Sequence, residues 1–110
     1  MSETKTEPAN RRVIHLEGNV DLEHSPDIRK VLLGAVDEGQ SVLVDLSQVN
    51  YIDSSGIACL IEALQIARNH GADLGLISVS TQAMRVIELA RLDMVFRIHD
   101  DLASAVTAYA

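Results

Sequence analysis

The stretch richest in chemical possibility is Asn50-Tyr51-Ile52-Asp53-Ser54-Ser55-Gly56, where one carboxylate and two hydroxyls separate an apolar run from an apolar-periodic segment. Such a junction is where a strand feeds a helix. The first turn of a helix offers unpaired N–H groups and a partial positive charge, which solvate a hydroxyl or an added phosphate. Ser54 or Ser55 occupies that position. A helix starting there puts Ser55 on one face with Ala58, Cys59 and Glu62, and turns Ile57, Leu60, Ile61 and Leu64 toward the core. Small neighbours leave the hydroxyl open to another protein's active site, as phosphorylation in trans requires. The same Asp-Ser-Ser-Gly also reads as a plain capped turn.

Catalysis by the chain itself needs a nucleophile, a base and an orienting acid. The nominal set is Ser55 with one of His15, His24, His70 or His99 and an aspartate. The sequence has no G-x-S-x-G elbow, its histidines fall on different expected elements, and His70 suits a helix C-terminus. No His or Cys pair has the spacing of a metal site on one element. Asp21, Glu23 and His24 could form a ligand set, but a solvated turn beside a helix start is the preferred reading. The glycines make no phosphate-cradling G-x-x-x-x-G-K-[ST] loop, so no cofactor or metal is expected.

The elements that would position this junction follow from periodicity. Arg12–Gly18 reads as a short strand running into a turn. In Ser25-Pro26-Asp27 the serine can cap, the proline suits the first helical position and the aspartate complements the helix dipole. Ile28, Val31, Leu32, Ala35 and Val36 then form one apolar stripe that stops at Gly39. The run SVLVDLSQV is of the kind expected for a central strand covered on both faces. After the Asp53–Gly56 turn comes a helix that stops at Gly71, then a strand, DLGLISVS. A third helix starts at Ser80 or Thr81 and carries Ala83, Val86, Ile87 and Ala90; VFRIH is a last short strand, and Asp100-Asp101 opens a final helix. This alternation predicts an α/β domain over residues 12–110, with a mainly parallel four- to five-stranded sheet and about four helices. Residues 1–11 are expected to be a flexible tail with at most a short edge strand.

Composition narrows the function classes. The 110 residues are 47% hydrophobic and 23% charged, which suits one globular domain. Aromatics are only 3%, so stacking surfaces for bases are scarce, and 16 acids against 9 bases disfavour nucleic acid as a partner. A single cysteine, Cys59, excludes an intramolecular disulfide, and a cytoplasmic setting is expected. No apolar run approaches the roughly 20 residues that span a bilayer, so membrane insertion is not expected either.

Three segments, GNVDLEHSPDIRKVL, VLVDLSQVNYIDSSGIACLIEAL and ISVSTQAMRVIELARLDMVFRIHD, together resemble the STAS domain, particularly its anti-sigma factor antagonist branch. The likeness runs from residue 12 to about residue 105. It implies that Ser55, the second serine of the D-S-S-G turn, is phosphorylated by an anti-sigma factor serine kinase and restored by a PP2C-type phosphatase. It also implies that Asp21 and Asp53 line the surrounding surface, to which Ser54, Gly56, Ala58, Cys59 and Glu62 are added as the candidate partner face. Unphosphorylated protein would bind the anti-sigma factor and free a sigma factor; phosphorylated protein would not bind. The family usually opens with an extra strand, which the short polar segment before Arg11 would abbreviate or omit. The same fold also serves as a constitutive subunit of lipid-transport ABC systems or as a scaffold, the alternative reading.

Overall fold

In a computed structural model describing residues 2–7, 11–37 and 39–109, the apolar run Val42-Leu43-Val44 lies on the central strand of a five-stranded sheet. The strands are β1 (Ser2–Glu7), β2 (Arg11–Val20), β3 (Ser41–Ile52), β4 (Leu74–Ile77) and β5 (Arg97–His99). The helices are α1 (Ser25–Val36), α2 (Ser54–Asn69), α3 (Thr81–Leu89) and α4 (Leu102–Tyr109), with a short 3-10 turn at Leu92–Met94. Spatial order follows chain order. β2 to β5 are parallel, and β1 adds to the edge antiparallel to β2.

Sequential parallel strands joined by right-handed crossovers put every connecting helix on the same side of the sheet. The core divides accordingly. Ile14, Leu16, Val42, Val44, Leu46, Leu74 and Leu76 form the sheet side of the large cluster, with Leu32 of α1, Leu60 and Leu64 of α2 and Ile87 of α3 against them. The alternate residues Val13, Leu43 and Ile77 point the other way and pack with Leu102 and Ala105 of α4. The central strand is thus buried on both faces, which explains its unbroken apolar run.

Several boundaries differ from the sequence reading. Part of the segment expected to be a tail forms β1, so the sheet begins before residue 12. β2 does not end at Gly18: the strand continues to Val20 through register shifts on either side of that glycine, whose φ of +75° a residue with a Cβ would adopt only under strain. Ser25 does not cap α1; its hydroxyl donates to the Leu22 carbonyl at 3.0 Å, and His24 stands at the cap position. Ser80 does cap α3, accepting from the Ala83 N–H at 3.2 Å while donating to the Val49 carbonyl at 2.7 Å. Ala90 is exposed beyond the last turn of α3 rather than in its stripe, and β5 begins only at Arg97.

The larger correction concerns α2. Its buried residues are Gly56, Cys59, Leu60, Ala63, Leu64 and Ala67, while Ile57 and Ile61 lie half-buried at the flank. Small residues let the helix backbone approach its neighbours, so the stripe is centred on them rather than on the bulkiest side chains.

Candidate functional site

The junction between β3 and α2 is organised by Asp53. Its Oδ1 accepts from the Ser55 N–H at 2.9 Å and from the Gly56 N–H at 3.1 Å, satisfying two of the helix's unpaired donors. Its Oδ2 accepts from the Leu22 N–H at 3.1 Å, and its own N–H donates to the Val20 carbonyl at 3.2 Å. One carboxylate therefore ties the start of α2 to the loop that follows β2. Gly56 makes that approach possible: a Cβ there would lie 2.2 Å from the Val20 carbonyl oxygen and 2.6 Å from Val20 Cγ1.

The loop after β2 is held by a second carboxylate. Asp21 Oδ1 accepts from the His24 N–H at 3.1 Å and from its Nδ1 at 2.7 Å. The hydrogen bond from His24 lowers the Asp21 pKa, and the same contact raises that of His24.

Along α2, a strip of positions i, i+4 and i+7 from Ser55 runs beside α1. Glu62 makes a two-pronged contact with Arg29, at 2.7 and 2.8 Å, that lowers its pKa. Cys59 is buried at 6% exposure, with Sγ 3.7 Å from the Ser25 carbonyl, and burial pushes its thiol pKa up. Where this strip reaches the start of the helix, Ser55 is half-buried, while Ser54 and Ala58 are exposed.

The family described as "Mlab, STAS domain" matches residues 4–99. This chain belongs to the STAS domain family. An anti-sigma-B factor antagonist of Listeria monocytogenes is 28% identical over 86 residues, covering 77% of this chain and 75% of that relative. The crystal structure of an anti-sigma factor antagonist from Mycobacterium paratuberculosis superposes with a TM-score of 0.87 at 21% identity, covering 98% of this chain and 92% of that one. The phosphorylated form of the Bacillus cell fate determinant SpoIIAA aligns over 100% of both chains, with a TM-score of 0.74 and 16% identity. At these identities the two structures establish the fold.

This STAS domain gathers Asp21, Asp53, Ser54, Ser55, Gly56 and Ala58 around one turn. Two residues of the expected partner face are buried rather than exposed. Cys59 is packed against α1, because the close approach of the two helices leaves a small side chain inside, and Gly56 is buried against Val20. Glu62 remains accessible but is committed to Arg29. Three histidines face other carboxylates: His24 meets Asp21, His15 lies 3.3 Å from Asp45, and His70 lies 3.8 Å from Asp37. His99 is on β5, two strands from β3. Asp21, Glu23 and His24 bring one ligand atom each within 4.8 Å of one another, but two of those atoms are already hydrogen-bonded together. Among the described residues, no helix is long and apolar enough to cross a membrane.

Sequence reasoning missed two features. The helix starts at Ser54, as the spacing predicts, but the residue that caps it was left open: Asp53 takes that role, and both serine hydroxyls stay out of the cap. Sequence reasoning also passed over Leu22, which is 70% exposed beside the turn. A large apolar residue between two acids, Asp21 and Glu23, was the available signal.

Proposed function

We propose that this STAS domain is an anti-sigma factor antagonist that works as a phosphorylation-controlled partner switch. With Ser55 unmodified it binds an anti-sigma factor serine kinase; phosphorylated, it is released; a PP2C-type phosphatase restores the hydroxyl. It is a substrate and ligand of enzymes rather than an enzyme, and it acts in the cytoplasm. The observation that carries this reading is the division of labour at the turn. Asp53 caps the helix, so the fold has no need of the Ser55 hydroxyl, and half-buried Ser55 sits between exposed Ser54 and Ala58.

The same geometry supports the direction of the switch. A phosphate adds about −1.5 to −2 charge at pH 7. The N–H groups of Ser55 and Gly56 are already taken by Asp53, so the helix start has little left with which to neutralise it. An interface fitted to a small neutral hydroxyl then meets extra bulk and a desolvated dianion next to a carboxylate. Binding is lost without a change of fold.

The test is incubation with the cognate kinase and ATP, followed by mapping of the phosphate by mass spectrometry. Ser55 is expected to carry it, Ser55→Ala to bind the kinase without being modified, and Ser55→Asp to bind more weakly. Phosphate on another residue, or full binding by Ser55→Asp, contradicts the reading. Recovery from the native cell with an ATPase and a permease and without a kinase would select the constitutive ABC-subunit alternative.

A further inference from the structure

We infer that Leu22 is the apolar anchor by which the partner kinase seats on the Ser55 turn, and that the kinase meets it with an apolar pocket bordered by lysine or arginine side chains. The inference rests on the reading of Ser55 as the phosphoacceptor and adds to it the residue and the surface chemistry of recognition.

Leu22 is 70% exposed, although its backbone is among the most firmly held in the loop. Its N–H donates to Asp53 Oδ2 at 3.1 Å and its carbonyl accepts from the Ser25 hydroxyl at 3.0 Å. The residue before it, Asp21, is locked to His24 through two contacts. A large apolar side chain is thus presented to water by a rigid turn, with no role in the core. Truncation of such a side chain removes little from the fold, whereas burying it in a partner's pocket costs little ordering entropy, because the backbone is already fixed. Preorganised apolar side chains of this kind carry a large share of binding energy at interfaces.

Its position is specific. The Asp53 carboxylate that holds the Ser55 N–H with one oxygen holds the Leu22 N–H with the other, so anchor and phosphoacceptor share one bracket. The neighbouring surface of α2, Ser54 and Ala58, is exposed and small, which lets a partner approach closely around the single projecting side chain. Charge sets the rim. Glu23, next to Leu22 in the chain, and Asp27, in the first turn of α1, are both exposed and both act on His24, so the surroundings of the anchor are acidic. A complementary partner surface carries cations opposite these two and an uncharged, close-fitted centre opposite Ser55. The cations at the rim steer encounter, and the pocket sets the lifetime of the complex.

The experiment measures association and dissociation rates with the purified cognate anti-sigma factor kinase for four proteins: the parent, Leu22→Gln, the double variant Glu23→Gln/Asp27→Asn, and Ser55→Asp. Thermal melting of each is measured alongside. Leu22→Gln is expected to raise Kd by about tenfold or more, mainly through faster dissociation, with melting unchanged. The double variant is expected to slow association and flatten its dependence on salt. If Leu22→Gln binds like the parent while Ser55→Asp loses binding, the anchor is overturned and the switch stands. If Leu22→Gln weakens binding while Ser55→Asp does not, the anchor stands and the switch falls. An unaltered salt dependence in the double variant overturns the cationic rim.

Discussion

Asp53 and Gly56 make the turn around Ser55 possible, and each does so through a contact that composition does not reveal. The sequence motif was legible as a strand-to-helix junction with a candidate hydroxyl, but not which residue would cap it, because Asp and Ser are both good caps and local spacing does not choose between them. The need for glycine was equally hidden, since it arises from the carbonyl of Val20, which is distant in sequence. Gly56→Ala forces a Cβ onto that backbone oxygen and is expected to destabilise the fold by about 1–3 kcal/mol or more, as overpacking does; equilibrium denaturation measures it. The Asp21–His24 clasp gives a pH signature. The folded-state pKa of Asp21 lies below its ordinary 3.8, so its contribution is present above that value and is lost as pH falls through the lowered one. The pKa of His24 lies above its ordinary 6.5, so its contribution is complete below 6.5 and is lost as pH rises through the raised value. The clasp is therefore fully formed between about pH 4 and pH 6.5. An NMR titration of His24 is expected to give a midpoint above 6.5, and Asp21→Asn is expected to bring it down.

At the scale of elements, the alternation of strands and helices was readable because each connection carries its own punctuation: Pro26 at the start of α1, Gly71 after α2, Ser80 before α3. The phase of α2 was not. Counting bulky apolar residues selects Ile57 and Ile61, whereas the helix turns Gly56, Cys59, Ala63 and Ala67 inward, where close approach matters more than side-chain volume. Truncation distinguishes the two phases. Leu60→Ala, at a position 1% exposed, is expected to cost about 2–5 kcal/mol. Ile57→Ala, at the half-buried flank, is expected to cost clearly less. Equal losses in denaturant melts would contradict the observed orientation. β1 was legible only as, at most, a short edge strand, for a different reason. SETKTE has no apolar alternation, and its strand character comes from pairing with β2, which only the assembled sheet supplies.

At the scale of the molecule, a chain with 47% hydrophobic residues and few aromatics builds one sheet with α1, α2 and α3 on one side and α4 on the other, and sets a tightly bracketed turn at the start of α2. A formal charge of −7 works against association with polyanions. A phosphate would deepen that charge by about two units at one point on the surface. The predicted switch thus acts through the contact surface rather than through refolding, so the phosphorylated and unmodified proteins should share one fold. Isothermal titration of the cognate kinase into matched samples, with Ser55 verified as unmodified or phosphorylated by mass spectrometry, tests this most directly. The account predicts binding to the unmodified protein, loss of binding on phosphorylation and unchanged far-UV circular dichroism; equal affinity of the two forms would contradict it.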